Sequence, residues 1–117
     1  MTFSEALRLL RRPAAVGMTA AVLSTSGALI AVALTLISQK GREFHPADIT
    51  IRRGETIQIV NDDGDLLHHV YIDSRKFSFD SGDQEPGTKT DITFPATGDY
   101  DVLCAIHPKM KLVVHVQ

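Results

Sequence analysis

The feature that most constrains the fold is a series of short apolar alternations that runs from about residue 48 to the end of the chain. TIQIVN, TKTDITFP, DYDVLC and KLVVHVQ place apolar side chains at every second position, and clusters rich in Asn, Asp, Gly or Pro separate them. A period of two is typical of strands with one buried face, and nothing in this region shows the helical period. About six or seven short strands at this spacing predict an all-β sandwich or barrel.

The N-terminal third has a different composition. No charged residue occurs from Pro13 to Gln39, and three arginines precede that stretch. Residues 40–117 hold nine Lys and Arg and thirteen Asp and Glu, a formal charge of 9 − 13 = −4. The uncharged run at residues 13–38 exceeds the roughly 20 residues that cross a bilayer core, and arginines before it favour a cytoplasmic N-terminus. We therefore predict an N-terminal hydrophobic helix, a signal or membrane anchor, at residues 1–39 and an exported domain at residues 40–117.

Two interpretations of residues 1–39 remain open. The segment AVA at residues 31–33 has the small-x-small pattern of a signal cleavage site, but the apolar run continues through Ile37 and is longer than the usual signal core of about 7–15 residues. A retained anchor would tether the domain to the membrane, and a cleaved signal would release it. Both place the domain in the periplasm or elsewhere outside the cytoplasm. Its acidic charge and lack of a basic, aromatic patch argue against nucleic-acid binding.

The chain has a single cysteine, Cys104, within the segment CAIHPKM. A thiol without a partner in an exported protein pairs with another chain, reacts, or binds a metal. His107 and Met110 follow it at steps of three residues. Thiolate and thioether are soft donors, and two histidines with one cysteine and a weak axial methionine are the ligand set of type 1 copper. Zinc seldom uses methionine, so this set favours copper.

The second histidine is expected from the segment HHV at residues 68–70. Side chains alternate between the two faces of a strand. His68 has the parity of the apolar residues Val70 and Ile72, whereas His69 has the opposite parity. Cys104 likewise shares its parity with apolar residues of its own strand. We therefore predict that His68 is the ligand from this segment, and that His69 is a partly exposed strand residue. His45, in the entry segment, is expected to be solvated.

With these residues in place, the chain from Phe44 to Val116 resembles a small blue copper protein, a cupredoxin of the plastocyanin, pseudoazurin and amicyanin group. The segments that carry the resemblance are FHPADITIRRGETIQIVNDD, HHVYI, FDSG, TFPATGDYDVLCAIHPKM and VVHV. The two-residue spacing between His107 and Met110 is most similar to amicyanin. The resemblance implies a Greek-key β-sandwich with one copper ion near one end.

The resemblance also assigns roles to the residues. It implies that the copper ligands are His68, Cys104, His107 and Met110, and that His107 reaches the surface through an apolar patch where electrons enter and leave. Three positions depart from the family pattern, and one of them is Leu112, where the family commonly has a glycine. His69 replaces an asparagine and Ala105 replaces a serine or threonine, side chains that help to tie the ligand loops together, so we expect different hydrogen bonding around the ligands.

These observations predict an electron-transfer protein without enzymatic turnover. It would carry one electron between exported protein partners, such as a cytochrome and a dehydrogenase or oxidase, and act as a monomer that contacts the membrane only through an uncleaved N-terminal segment. The alternative is a periplasmic copper storage or delivery protein. A metal-free adhesion or scaffold sandwich is a third hypothesis, and a Cys/His nucleophile is disfavoured because it leaves Met110 without a role. The segment NDDGD is interpreted as a turn, since it lacks the length and closing glutamate of a calcium loop.

Overall fold

The computed structural model describes residues 34–117 together with residues 17, 19–24 and 27. Nine strands lie within residues 34–117: β1 (Thr35–Lys40), β2 (Glu43–His45), β3 (Asp48–Ile51), β4 (Thr56–Asn61), β5 (Val70–Asp73), β6 (Ser78–Asp80), β7 (Lys89–Thr93), β8 (Gly98–Cys104) and β9 (Lys111–Val116). Two sheets result, with strand orders β2-β1-β4-β7 and β3-β9-β8-β5-β6. The predicted all-β sandwich is confirmed for this part of the chain.

Residues from both sheets form one hydrophobic core. Strand β4 illustrates the pattern that builds it, because Ile57 and Ile59 are fully buried while Gln58 between them is partly exposed. Each such isoleucine stabilises the fold by about 1.5–3 kcal/mol relative to an exposed side chain. The core consists of Ile37, Phe44, Ile51, Ile57, Ile59, Val70, Ile72, Ile92, Phe94, Tyr100, Val102, Cys104, Met110, Leu112, Val114 and Val116.

Strand β1 begins inside the stretch that the sequence assigned to the N-terminal segment. It runs parallel to β4, with pairs from Thr35 opposite Ile57 to Gln39 opposite Asn61. Ile37 is 1% exposed and Gln39 is fully buried, so the last apolar residues of the uncharged run pack in a sandwich core. The first described strand of the domain therefore begins at Thr35, before the boundary at Lys40 expected from the sequence.

The predicted N-terminal helix falls largely on residues outside the described part of the chain. Among the residues that the structure does describe, no helix is both long enough and apolar enough to cross a membrane.

The segment KGRE at residues 40–43 contains the turn of a β-hairpin. Strands β1 and β2 pair in antiparallel fashion with Lys40 opposite Glu43. Gly41 and Arg42 between them have φ values of 65° and 57°, both left-handed. This is the backbone of a type I′ turn, whose twist matches that of the flanking strands. The turn reverses the chain sharply, so β2 lies beside β1 in the same sheet.

Four parts of the chain meet at one end of the sandwich. Strand β8 ends at Cys104, opposite Val70, the first residue of β5. The loop at residues 105–110 and the segment that contains His68 therefore lie at the same end. The Gly41–Arg42 turn lies there too, since the Gly41 amide donates to Asp63 in the loop before β5. We call this the ligand end of the sandwich.

Candidate metal centre

Three donor atoms converge at the ligand end. The Cys104 Sγ lies 3.9 Å from the His68 Nδ1 and 3.7 Å from the His107 Nδ1, and the two Nδ1 atoms are 3.2 Å apart. Ligands that share one metal at bond lengths of about 2.0–2.3 Å lie about 3.2–3.9 Å from one another in trigonal or tetrahedral geometry. The three distances fit a single ion. Within the described residues this is the one group of His, Cys, Asp and Glu with such geometry.

His68 is held by a backbone bridge just before β5. Its amide donates to the Gln84 carbonyl at 3.1 Å, and the Gln84 amide donates to the His68 carbonyl at 2.7 Å. The His68 side chain is fully buried, whereas that of His69 is 24% exposed. The inward direction of His68 agrees with the alternation along HHV.

The carboxylate of Asp63 orients the His68 ring. His68 Nε2 lies 2.7 Å from Asp63 Oδ2. Because an ionised carboxylate only accepts hydrogen bonds, Nε2 carries the proton and Nδ1 presents a lone pair toward Cys104 and His107. Carboxylate–histidine pairs of this kind fix the ring and the tautomer of metal ligands.

Asp63 is ionised in this environment despite its burial. Burial raises its pKa, but hydrogen bonds from the backbone of Gly41 and the His68 ring outweigh that effect, and the pKa is held below its usual value. The Gly41 amide donates to Asp63 Oδ1 at 2.8 Å. The carboxylate therefore links the β1–β2 turn to the imidazole of His68.

Asp63 was not recognised from the sequence, where NDDGD was interpreted only as a turn. Asn61, which is 1% exposed, holds this turn in place. It accepts from the Asp63 amide at 3.0 Å and donates to the carbonyls of Leu66 and Gln84 at 2.8 and 2.9 Å. A carboxylate a few residues before a predicted histidine ligand was the available signal, but local spacing does not show which oxygen meets which ring.

The loop after β8 carries the remaining predicted ligands. Cys104 is 2% exposed at the end of the strand. The Met110 amide donates to the His107 carbonyl at 3.0 Å, which closes a β-turn with Pro108 at its second position, where proline is favoured. Met110 is 1% exposed in the same turn. All four predicted residues thus lie at the ligand end, and the donor atoms of three of them converge.

The two ligand-bearing segments are tied by backbone rather than by side chains. The Ala105 amide donates to the His69 carbonyl at 2.8 Å. Although His69 and Ala105 depart from the family pattern, this backbone hydrogen bond still connects the two segments directly. The His69 ring points away from the donor cluster toward Asp80, with Nε2 at 2.6 Å from Oδ1. The exposed His45 lies near the Lys40 carbonyl and is also outside the cluster.

His107 is the most accessible of the three converging residues. It is partly exposed, while His68 and Cys104 are buried. Burial lowers the pKa of His107, and the positive charges of a protonated His68 and of Arg42 would lower it further. A lowered pKa keeps the imidazole neutral, which is the form that binds a metal. Ile106 beside it is 42% exposed.

A family model for copper-binding proteins of the plastocyanin/azurin family matches residues 31–117. The chain belongs to this family. Copper is its cofactor, and the buried thiol and two imidazoles described above fit that metal. The match begins before β1, in agreement with the position of the first strand. A comparison with curated proteins found no match.

Solved structures share the fold of this cupredoxin. A Cu(I) form of an amicyanin variant is 17% identical, over 72% of this chain and 82% of that chain, with a TM-score of 0.66. A purple cupredoxin from Nitrosopumilus maritimus is 22% identical, over 71% of this chain and 99% of that chain, with a TM-score of 0.62. A copper-containing nitrite reductase from Thermus scotoductus is 27% identical over 73% of this chain, with a TM-score of 0.66, but this chain covers only 22% of its length.

Proposed function

We propose that this cupredoxin is a type 1 copper electron-transfer protein, with His68, Cys104 and His107 as the strong ligands and Met110 as the weak axial ligand. The observation that carries the proposal is the meeting of one thiol and two imidazole nitrogens within 4.8 Å of one another at a single point. Copper bound there would supply a one-electron couple between Cu(II) and Cu(I).

The protein holds the donors in place through contacts that do not involve the metal. His68 is fixed by its backbone bridge and by Asp63, and Cys104 by its position at the end of a strand. Burial of both side chains excludes water from that side of the site. Donors held in this way move little when the charge of the metal changes, which suits a carrier of electrons. His107 is the ligand that a partner can approach.

The proposal includes no turnover of a substrate. The thiol, which is the strongest nucleophile of the centre, faces two imidazoles in the interior rather than an open cleft. Similarity to a nitrite reductase supports a shared domain fold, because only about a fifth of that enzyme is matched. We therefore propose a carrier that exchanges electrons with another protein and that works as a monomer.

We further propose that the domain is exported, so that its redox partner also lies outside the cytoplasm. Cleavage after the AVA segment at residues 31–33 would leave all of β1, which begins at Thr35. Retention of the segment would leave an uncharged run at residues 13–34, still about the length that crosses a bilayer. The mass of the protein recovered from cells, and its extraction with or without detergent, distinguish the two.

Addition of Cu(II) to the purified metal-free protein, followed by visible spectroscopy, tests the function. We expect one equivalent of copper to produce an intense thiolate-to-copper charge-transfer band that disappears on reduction and returns on oxidation. Cys104→Ser should abolish the band. His69→Gln, a change at the adjacent histidine outside the cluster, should keep it.

Two other results would replace the proposal. A colourless protein that binds Cu(I) tightly and passes it to an acceptor would indicate copper delivery. A protein that binds no copper, or that shows the same spectrum after Cys104→Ser, would exclude the proposed centre.

A further inference from the structure

A groove with positively charged walls leads away from His107 across the ligand end. We propose that this groove is the docking site for an acidic segment of the protein that exchanges electrons with the copper centre. The inference rests on the proposed electron-transfer function and adds the chemical character of the partner. The proposed partner surface is rich in carboxylates, although the copper domain itself carries a net negative charge.

The groove consists of two adjoining depressions that share Arg42, Glu43, Lys109 and Met110. The first continues to His107 and Ile106, and the second continues along β2 toward Lys111. One wall is the β1–β2 turn, and the other is the loop after β8 together with the start of β9. A segment of a partner that lies in this groove would reach the exposed part of His107.

The charges that line the groove are mostly positive. Arg42, Lys109 and Lys111 are exposed, and within residues 34–117 none of them forms an ion pair with a carboxylate. The single acid that lines either depression is Glu43, whose carboxylate lies 3.6 Å from the His45 ring. Three cations therefore face one anion beside the accessible ligand.

This local charge is opposite in sign to the charge of the domain, which is −4 for residues 40–117, nine basic against thirteen acidic residues. At about 0.1 M ionic strength charges are screened over roughly 10 Å. A partner in contact with the groove therefore senses Arg42, Lys109 and Lys111 more strongly than acids elsewhere on the domain. Charges arranged in this way select the partner and its orientation more than they raise its affinity.

Hydrogen bonds connect both walls of the groove to the predicted ligand residues. The Gly41 amide beside Arg42 donates to Asp63, which bonds His68. Lys109 lies in the turn closed by the hydrogen bond between Met110 and His107. The cations are therefore placed on a backbone that is ordered by the ligands, so that an acidic segment docked here would have a fixed position relative to His107.

The test compares small redox reagents of opposite charge. The reduced copper protein gives one electron to hexacyanoferrate(III), which becomes hexacyanoferrate(II), or to the cationic tris(phenanthroline)cobalt(III), which becomes the cobalt(II) complex. If the groove attracts the anion, the rate of hexacyanoferrate(III) reduction falls as ionic strength rises, as it does for two reactants of opposite charge. If the net charge of the domain dominates, that rate rises instead, which would overturn the proposal.

A pair of matched charge reversals locates the effect. Lys109→Glu should slow the reaction with the anion by about tenfold at low salt and accelerate the reaction with the cation. Arg75→Glu makes the same change at an exposed residue between β5 and β6, at the opposite end of the sandwich. It should change either rate much less. Equal effects of the two substitutions would show that only total charge matters, and would refute the groove.

A second readout does not depend on electron transfer. Hexacyanochromate(III) is a paramagnetic trianion that should broaden the amide NMR signals of residues 41–43, 106, 107 and 109–111 in the reduced or metal-free protein. Lys109→Glu should weaken that broadening. Broadening centred elsewhere would overturn the inference. A protein that forms the visible band but fails these tests keeps its proposed function. If the protein shows no thiolate-to-copper band, the proposed electron-transfer function is excluded, regardless of whether the anion binds in the groove.

Discussion

The Asp63 carboxylate lies 2.7 Å from Nε2 of His68, while Nδ1 of the same ring faces the thiol of Cys104 at 3.9 Å. One side of the imidazole is therefore fixed by an anion, and the other side is available to a metal. This relationship makes Asp63 part of the copper centre although it contributes no donor atom.

Asp63→Asn should weaken copper binding and raise the reduction potential. The substitution keeps the shape of the side chain but removes a negative charge that stabilises the more positive Cu(II) state and the basicity of His68. Loss of such a partner typically lowers metal affinity by about 10–100-fold. Competition with a chelator and spectroelectrochemistry measure the two effects. Asp65→Asn, at an exposed acid of the same loop, is the control. Equal shifts in both variants would contradict a specific role for Asp63.

Met110→Leu should separate the copper function of Met110 from its packing. Met110 is 1% exposed, and exchange for leucine conserves volume, so unfolding of the metal-free protein by urea should change by less than about 1.5 kcal/mol. The visible spectrum and the potential should nevertheless change, because the thioether donor is lost. Leu112→Met, at a fully buried neighbour, is the matched control and should leave the spectrum unaltered. An unchanged spectrum in Met110→Leu would remove Met110 from the ligand set.

Asn61→Ala should destabilise the fold strongly for a single polar residue. It would leave the buried Asp63 amide and the partly buried Leu66 carbonyl without the partner they have now, and the Gln84 carbonyl with only the His68 amide. An unpaired buried polar group costs about 1–3 kcal/mol, so we expect a loss of more than about 2 kcal/mol in the free energy of unfolding. Gln58→Ala, which removes a surface hydrogen bond to Asp91, should cost much less. Similar losses would show that the network around Asn61 contributes little.

His115 should make stability depend on pH. Its Nδ1 lies 2.7 Å from Asp99 and its Nε2 lies 3.1 Å from Asp48, so the ring joins β9 to β8 and β3. The hydrogen bond to Asp99 and that to Asp48 raise the pKa of His115 above its usual 6.5. The protonated form is favoured in the folded state. The stabilisation of the fold by protonated His115 is therefore fully present below the unfolded-state pKa of this residue. It is lost as pH rises through the folded-state pKa.

Urea unfolding of His115→Gln at about pH 5.5 and about pH 8.5 measures this contribution. The substitution should reduce the free energy of unfolding more at the lower pH. Asp101→Asn changes an exposed acid on the same strand as Asp99 and should not reproduce that dependence. A loss of stability that is the same at both pH values would disprove the ion-pair explanation.

The position of the first strand leads to a prediction about the minimal domain. A chain that begins at Leu34 should fold and bind copper, whereas a chain that begins at Lys40 should not. The shorter chain lacks Ile37, whose burial alone stabilises the fold by about 1.5–3 kcal/mol. It also lacks the strand that lies between β2 and β4. Dispersion of NMR signals and the copper band report the outcome. Cooperative folding of the shorter chain with undiminished stability would contradict this role of β1.

Much of the sandwich was predictable because alternation along a strand is a local property. It indicated β3, β4, β5, β7, β8 and β9, and it distinguished the inward His68 from the outward His69. Alternation did not reveal β1, because its apolar side chains continue the uncharged run and no charged or turn residue marks the start of the strand at Thr35. Only the parallel pairing with β4 shows that these side chains belong to a sheet. The short strands β2 and β6, of three residues each, carry too little pattern to recognise.

The amino-acid sequence by itself determined the chemistry of the centre, because Cys104, His107 and Met110 lie in one short segment whose residue types identify the donors. The tertiary structure alone decided how His68 is oriented and what surrounds it. The Gly41 turn, which holds the Asp63 partner of His68, and Gln84, which pairs with the His68 backbone, come from separate parts of the chain. Their meeting depends on the order and register of strands that pair over long separations, and local spacing carries no record of that arrangement.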